Sequence, residues 1–375
     1  MILSEFQASE IVSVGDFVSE RRDVLSVLWA IVKGCNYKCS YCSYSKDVGF
    51  STFSSREDLL AAARRIVRLG RPGYQITLYG GEPTFHPHFQ DLLEYLASVD
   101  AKVSLRVFTN GSRPAHYFEN LIATMKSVSF GIIFSLHLDW VKFDNFKRCV
   151  EVVAGAGIAT TVNFMFIASE RENAHRYMDE LLELRARIPF FLEINHPYDL
   201  DGVMAGGCTA QDLEWVQACR DIVDKAPMPS DVVSPSFARV MSTVTLERQG
   251  ARQALPPEES LRFLTRLHTP SYTDFYCCSG SNVLFVEEDG WARGGVCDRS
   301  RRVGNVFHDS EVELIQGMGV VRCGAAACSS IENIPLPKFR SAAEAEACVV
   351  DFKDRAKAAF YRAEASRLGV ASSAE

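Results

Sequence analysis

No apolar run in this sequence approaches the ~20 residues that a membrane-spanning helix needs. The opening stretch, "MILSEFQASEIVSVGDFVSERR", lacks the basic segment and the following apolar segment of a secretory signal. Positive charge is not in excess. Lys and Arg number 40 against 47 Asp and Glu, a formal net charge of −7. That balance argues against nucleic acid or a membrane surface as the main partner, because both attract basic faces. Internal repeats and low-complexity runs are also absent. These absences predict a cytoplasmic protein, and in the cytoplasm disulfides are rare. The twelve cysteines among 375 residues therefore read as metal ligands plus a few buried thiols. The length allows one large domain or two smaller ones with ample core.

From Leu25 onward, apolar β-type runs alternate with helical patterns. Strands are predicted at 25–32, 74–80, 102–111, 130–139, 159–167 and 189–195. Helices are predicted at 56–70, 89–98, 115–125, 143–157, 172–184 and 210–224. Ser54 or Ser55 can cap the first helix, and Gly70 can end it. Six β-α units imply a parallel sheet covered by helices, but they are fewer than the eight of a closed barrel. The expected fold class is α/β: a partial (β/α)6 TIM-like barrel followed by a small cysteine-rich domain of β-hairpin and helix. Chemistry in such sheets gathers in the loops after the strands. The predicted boundaries are an N-terminal extension at 1–24, the barrel at 25–225, a linker region at 226–270, the cysteine-rich domain at 271–335 and a helical tail at 336–375. Within residues 225–257 five prolines interrupt regular structure, although "SFARVMSTVTLERQG" fits a helix.

"KGCNYKCSYCSYS" follows the first predicted strand and holds Cys35, Cys39 and Cys42 in the pattern C-x3-C-x2-C. A zinc knuckle would want a fourth Cys or His nearby, and none lies within twenty residues on either side. A haem attachment site needs His after the last cysteine, where this chain has Ser43. A thioredoxin-type pair would leave Cys35 without a role. A cluster of four irons and four sulfides takes four outside ligands. Three thiolates leave one iron open to a small molecule, and open coordination separates catalytic from structural metal sites.

These residues resemble the signature of the radical S-adenosylmethionine (SAM) enzymes, which carry C-x3-C-x-aromatic-C after the first strand of a partial barrel. Tyr41 fills the aromatic place, which in the family packs beside the SAM adenine. "GGEP", from Gly80 to Pro83, ends the second strand and resembles the segment whose backbone and Glu meet the SAM amino group. The resemblance thus implies SAM contacts at Gly80, Gly81 and Glu82. Asn110 in "FTNG", Ser135 and His137 near the end of the fourth strand, and Asn163 on the fifth extend the implied SAM site. A satisfied polar group at a strand end is the other reading of Ser135, His137 and Asn163. The resemblance covers about residues 25–224. It implies a SAM-binding 4Fe-4S cluster, SAM itself, reductive cleavage to a 5′-deoxyadenosyl radical, hydrogen-atom abstraction from substrate, and a flavodoxin- or ferredoxin-type electron donor. A two-cluster electron-transfer protein is the non-enzyme reading, against which "GGEP" argues.

A second set of cysteines lies near the C-terminus. Residues 281–286 and 291–296 flank "EEDG" and read as a hairpin. Cys277 or Cys278 stands at one base and Cys297 at the other, so the pair can share a metal site. Cys323 and Cys328 bring the set to four, which closes a site completely. Cys278 is preferred over Cys277 as the nearer to the hairpin. A zinc ribbon is the plain reading. The arrangement also resembles the SPASM and twitch extensions of radical SAM enzymes, which hold auxiliary iron–sulfur clusters. Two departures stand out: six residues separate Gly290 from Cys297 where four are usual, and the last pair is C-x4-C rather than C-x2-C. The cysteine count favours the twitch form with a single auxiliary 4Fe-4S cluster.

Cys149, Cys219 and Cys348 fall in predicted helices and read as buried thiols. Cys208 lies in the glycine-rich loop after the sixth strand, where the resemblance allows a catalytic thiol that donates a hydrogen atom. His196, Tyr198, Asp199 and Asp201 share that loop, and Glu193 and Asn195 end the strand before it. All six are candidate substrate contacts. The family's substrates divide between peptides or proteins, whose side chains are oxidised, crosslinked or epimerised, and small molecules such as aminocyclitols. Only 34 residues precede Cys35, too few for the peptide-recognition domain that many peptide maturases carry. The expectation leans to peptide or protein modification.

Overall fold

The computed structural model describes residues 7–15, 23–42, 44, 53–125, 128–195, 207–225, 243–256, 259–260, 272–297, 300–324, 328, 333 and 336–368. Among these, no helix is long and apolar enough to cross a membrane. After β1 (Ile11–Gly15), six strands alternate with six helices in chain order. They are β2 (Leu25–Val32), α1 (Arg56–Ile66), β3 (Tyr74–Gly80), α2 (Phe89–Ser98), β4 (Val103–Thr109) and α3 (Ala115–Thr124). β5 (Ser129–His137), α4 (Phe143–Gly155), β6 (Ala159–Met165), α5 (Arg171–Arg187), β7 (Phe191–Asn195) and α6 (Ala210–Lys225) complete the series. Strands β2 to β7 pair in parallel, each with its successor in sequence. A parallel strand needs a crossover to return the chain, and each helix supplies one. The α/β fold with a parallel sheet is therefore as the alternation predicted.

Strand alternation sorts the side chains. Trp29, Leu78, Leu105, Phe134, Phe164 and Leu192 point outward beneath the helices and lie buried in one core. Each large side chain buried there contributes roughly 1.5–3 kcal/mol. The other set faces inward. Toward the C-terminal strand ends it turns polar and half-exposed, with Ser135, Asn163 and Glu193 side by side in register. The first helix starts on a side-chain cap: the Ser55 side chain accepts from the Asp58 N–H, and Glu57 and Asp58 fill the first turn of α1. Ser55, not Ser54, is the cap, and the helix ends at Ile66, before Gly70.

Beyond the barrel come β8 (Thr243–Arg248), β9 (Ala251–Ala254), β10 (Tyr276–Ser279), β11 (Val283–Val286), β12 (Trp291–Arg293) and β13 (Arg302–Asn305). The chain closes with α7 (Glu311–Gly317), β14 (Gly319–Arg322), β15 (Lys338–Phe339) and α8 (Ala342–Arg367). β11 pairs in parallel with β2, so the β11–β12 hairpin and β13 extend the barrel sheet to nine strands. The other sheet runs β14-β10-β15-β1-β8-β9. It joins the N-terminal extension, the linker region, the cysteine-rich segment and the tail, which the sequence had kept apart. Residues 243–248 are a strand, not part of a helix. "TVTLER" opens with β-branched residues, and Val244 and Leu246 alternate into a small core with Ile11, Val14 and Phe275.

Candidate functional site

Cys35, Cys39 and Cys42 follow β2 on one short loop, and the ends of three neighbouring strands hold that loop in place. The segment after β3 comes first. Gly81 N–H donates to the Val32 carbonyl at 2.8 Å, and Glu82 N–H to the Gly34 carbonyl at 3.0 Å. A Cβ at Gly81 would lie 2.0 Å from the Gly34 oxygen, and one at Gly80 2.0 Å from the Val32 oxygen. The two glycines thus let this segment press on the backbone leading into Cys35. Replacing Gly81 by Ala is expected to cost about 1–3 kcal/mol through overpacking. A urea midpoint below that of the wild type checks this.

Glu82 is fully buried. Its Oε1 accepts from Thr84 N–H at 3.1 Å, Thr84 Oγ1 at 2.6 Å and Thr109 Oγ1 at 2.9 Å, and its Oε2 accepts from Asn110 N–H at 2.6 Å. Burial raises its pKa, and the donated hydrogen bonds act in the other direction. The carboxylate therefore ties the end of β3 to the end of β4, with protein donors on both oxygens.

Asn110 passes the tie onward. Its Nδ2 donates to Asn36 Oδ1 at 2.9 Å and lies 3.7 Å from Cys35 Sγ, while Asn36 Nδ2 donates to Ser112 Oγ at 2.9 Å. Tyr37 N–H also points at Cys35 Sγ, at 3.3 Å. From β5, His137 Nδ1 meets the Tyr41 hydroxyl at 2.6 Å, and Asp139 Oδ2 accepts from Ser40 N–H at 3.3 Å. Tyr37 is buried between His137, edge-on at 6.2 Å, and Trp140, stacked at 6.2 Å. Burial pushes the Cys35 and Cys39 thiols up and holds His137 down at about 4. Thiols held protonated must release protons to a metal, so loading favours higher pH.

The sequence-predicted SAM residues divide by position. Tyr41 and His137 touch, and Asn110 reaches the cysteine loop. Ser135 and Asn163 are register partners on β5 and β6, and Asn195 Nδ2 donates to Asn163 Oδ1 at 2.7 Å. Cys208 stands apart, just before α6, where its thiol is raised by burial and by Asp212. Asp212 is itself clasped by Arg171, at 2.5 and 2.6 Å, and by Thr209. His196, Tyr198, Asp199 and Asp201 lie outside the described residues. Reasoning from sequence missed Asn36, Thr109 and Asp139. Asp139 lies two residues beyond His137 at the end of the predicted fourth strand, so the strand's period of two would have reached it.

His86, in the loop that follows Glu82, is buried. Its Nδ1 accepts from His88 N–H at 3.1 Å, and Nε2 lies 3.2 Å from Ser54 Oγ. Burial, with His88 beside it, lowers its pKa from 6.5 to about 4. The unfolded chain takes up a proton near pH 6.5 that the folded chain refuses until about pH 4. Stability from this group is full above that window and is lost as pH falls through it, roughly 3 kcal/mol by its lower end. His86→Gln should flatten that part of the urea-midpoint profile.

At the second cysteine set, strand geometry separates the two adjacent candidates. β10 alternates, so Cys277 and Cys278 face opposite ways. Cys278 points into the core, where its thiol lies 3.6 Å from the Ala345 carbonyl of α8 and meets Cys348, which raises it. Cys277 instead shares its surroundings with Cys297, Cys323 and Cys328. Cys277 is half-buried, and its cross-strand partner on β15 is the buried Lys338, whose Nζ donates to the Asn333 and Leu336 carbonyls at 2.6 and 2.8 Å. Burial pushes Cys277 up to about 12, and the Lys338 charge opposes that. Among the described residues no three of His, Cys, Asp and Glu stand as close as a single metal ion requires. Thiolates on separate corners of a cluster stand further apart. The donor sets fit such a group: N–H donors aimed at Cys35 sulfur at the first site, and at the second a buried cation near Cys277 and Cys328.

Comparison with known proteins follows this geometry. Residues 29–182 match the Radical SAM superfamily model, so this stretch is a radical SAM superfamily domain. GTP 3′,8-cyclase of Haemophilus influenzae (strain 86-028NP) is 32% identical over 89 residues, 23% of this chain and 26% of that protein. The enzyme of the same name from Microcystis aeruginosa is 26% identical over 129 residues, 32% of this chain and 36% of its own. The chain thus spans about a quarter to a third of the length of these curated relatives. Among solved structures, native anSMEcpe with bound AdoMet superposes at a TM-score of 0.52 and 15% identity, over 90% of this chain and 99% of that one. The same protein with bound AdoMet and Kp18Cys peptide gives 0.51 and 16%, over 90% and 99%. At such identity the likeness is one of fold.

Proposed function

We propose, from the radical SAM superfamily domain at 29–182, that the protein cleaves SAM reductively and abstracts a hydrogen atom from a peptide or protein side chain. The observation that carries this reading is the three-cysteine loop held over the C-terminal ends of a parallel partial barrel, with "GGEP" pressed against it. A 4Fe-4S cluster bound by Cys35, Cys39 and Cys42 would supply an electron to SAM and so yield methionine and a 5′-deoxyadenosyl radical. The chain's own residues would bind and orient. The backbone of Gly80, Gly81 and Glu82 would face the SAM amino group, since the Glu82 carboxylate is occupied. Tyr41, held by His137, would flank the adenine, with Asn110, Ser135 and Asn163 nearby. Tyr37 and Trp140 would keep water from the cysteine loop. Cys277, Cys297, Cys323 and Cys328 would hold the auxiliary cluster, with Lys338 offsetting their charge. Cys208 would serve as a hydrogen donor only as a neutral thiol, the form that burial favours. The electron would come from a flavodoxin- or ferredoxin-type donor.

The peptide reading is supported by fold likeness to a protein solved with AdoMet and a peptide. Local identity to the GTP 3′,8-cyclases favours a second reading, a small-molecule substrate. Incubating the reduced enzyme with SAM and candidate peptides in deuterated water distinguishes the outcomes. Loss of two hydrogens means oxidation or crosslinking, and exchange of one for deuterium means epimerisation. SAM cleavage that responds to small molecules and to no peptide would sink the peptide reading.

A further inference from the structure

We infer that Asp139 is a positioning residue for the cysteine loop, clasping Ser40 N–H and setting a carboxylate beside the Cys39 sulfur. The inference rests on the cluster reading above. The first half of the loop is tied to β4 through Asn110 and Asn36. The second half, which carries Cys39 and Cys42, is tied to the end of β5 by two contacts. One is Tyr41 to His137 at 2.6 Å, and the other is Ser40 N–H to Asp139 Oδ2 at 3.3 Å. The Cys42 N–H donates to the Cys39 carbonyl at 3.1 Å and closes the turn between the two cysteines, and of the two contacts only the second pins the main chain of that turn to β5. The carboxylate is also near enough to Cys39 to disfavour its thiolate. Its other oxygen, Oδ1, is buried and, among the described residues, has no hydrogen-bond partner. An acidic group in such a place costs stability, and its position beside a ligand sulfur accounts for it. Groups that hold ligands in position typically govern metal retention by 10–100-fold. Charge and hydrogen bonds at the sulfurs govern the reduction potential.

The test uses the full chain, reconstituted anaerobically, as wild type, Asp139→Ala and Asp139→Asn. The reporter is the paramagnetic signal of the reduced cluster that changes when SAM is added, because only a cluster with an open iron responds. A chelator should strip that signal about tenfold faster from Asp139→Ala. Asp139→Asn should resist like the wild type, because its amide oxygen still accepts from Ser40. The midpoint potential of Asp139→Asn should move to less negative values, because a negative charge beside the sulfur is gone. A merely structural Asp139 would lower the melting temperature of Asp139→Ala without moving the Asp139→Asn potential. Stripping of Asp139→Ala at the wild-type rate overturns the inference. If Asp139→Ala fails to fold, the Asp139→Asn potential decides: a less negative value supports the inference and an unchanged one overturns it. A wild type without any SAM-responsive signal overturns the cluster reading itself, and this inference with it.

Discussion

Replacing Cys35, Cys39 and Cys42 together by Ala is expected to abolish 5′-deoxyadenosine formation and to halve the iron, from roughly eight atoms per chain to roughly four. The loop offers three sulfurs. Among the described residues its other near groups are Asn36, Asn110 and Ser112, amides and a hydroxyl already bound to one another, and the Asp139 carboxylate, which is engaged by Ser40 N–H and cannot by itself replace three thiolates. The folded state should survive the change. The loop's ties run through Asn36, Ser40 N–H and Tyr41, which the substitutions leave in place. Anaerobic iron and sulfide analysis beside chromatographic detection of 5′-deoxyadenosine checks both halves. Roughly four irons in the wild type, falling to none, would remove the auxiliary cluster from the proposal while leaving the SAM site standing. Unchanged SAM cleavage in the triple variant would dismiss the SAM site altogether.

The second large effect separates two adjacent cysteines. Cys277→Ala should release about four irons, because it removes one of four thiolates from a closed site. Cys278→Ala should keep all the iron and lower stability by about 1 kcal/mol, the cost of a methyl-sized void against α8. The contrast follows from one strand residue, since neighbours on β10 face opposite sides. Cys277 is also set across from Lys338, so the lost thiolate would leave that ammonium facing a smaller negative charge. Iron counts and urea midpoints on the two variants decide the matter. Iron loss from Cys278→Ala with retention in Cys277→Ala would reverse the assignment.

Much of the barrel was legible because its signals are local. Apolar runs of strand length, helical periodicity and the Ser55 cap of α1 are read within a few residues. The C-x3-C-x2-C spacing is equally local, as is "GGEP" one unit later. The second sheet was not legible. Its strands come from 11–15, 243–254, 276–279, 319–322 and 338–339, and no short window contains two partners separated by more than two hundred residues. The linker region's "TVTLER" looked helical only because its neighbours were read with it. Pairing with β1 and β9 makes it a strand, an example of tertiary context overriding local pattern.

The same division runs through the site. Spacing alone placed three cysteines together just after the first barrel strand, and the family resemblance pointed to polar residues at the ends of the later ones. Tertiary structure decided what each group does there. It turned the glycines of "GGEP" toward the backbone before Cys35, gave the Glu82 carboxylate to Thr84, Thr109 and Asn110, and set Cys277, not Cys278, on the side of Cys297, Cys323 and Cys328. It also brought Asp139 to Ser40 across 99 positions. A residue's type and its local period follow from the sequence near it. Its partner follows from where distant strands end in space, and only the folded sheet sets that.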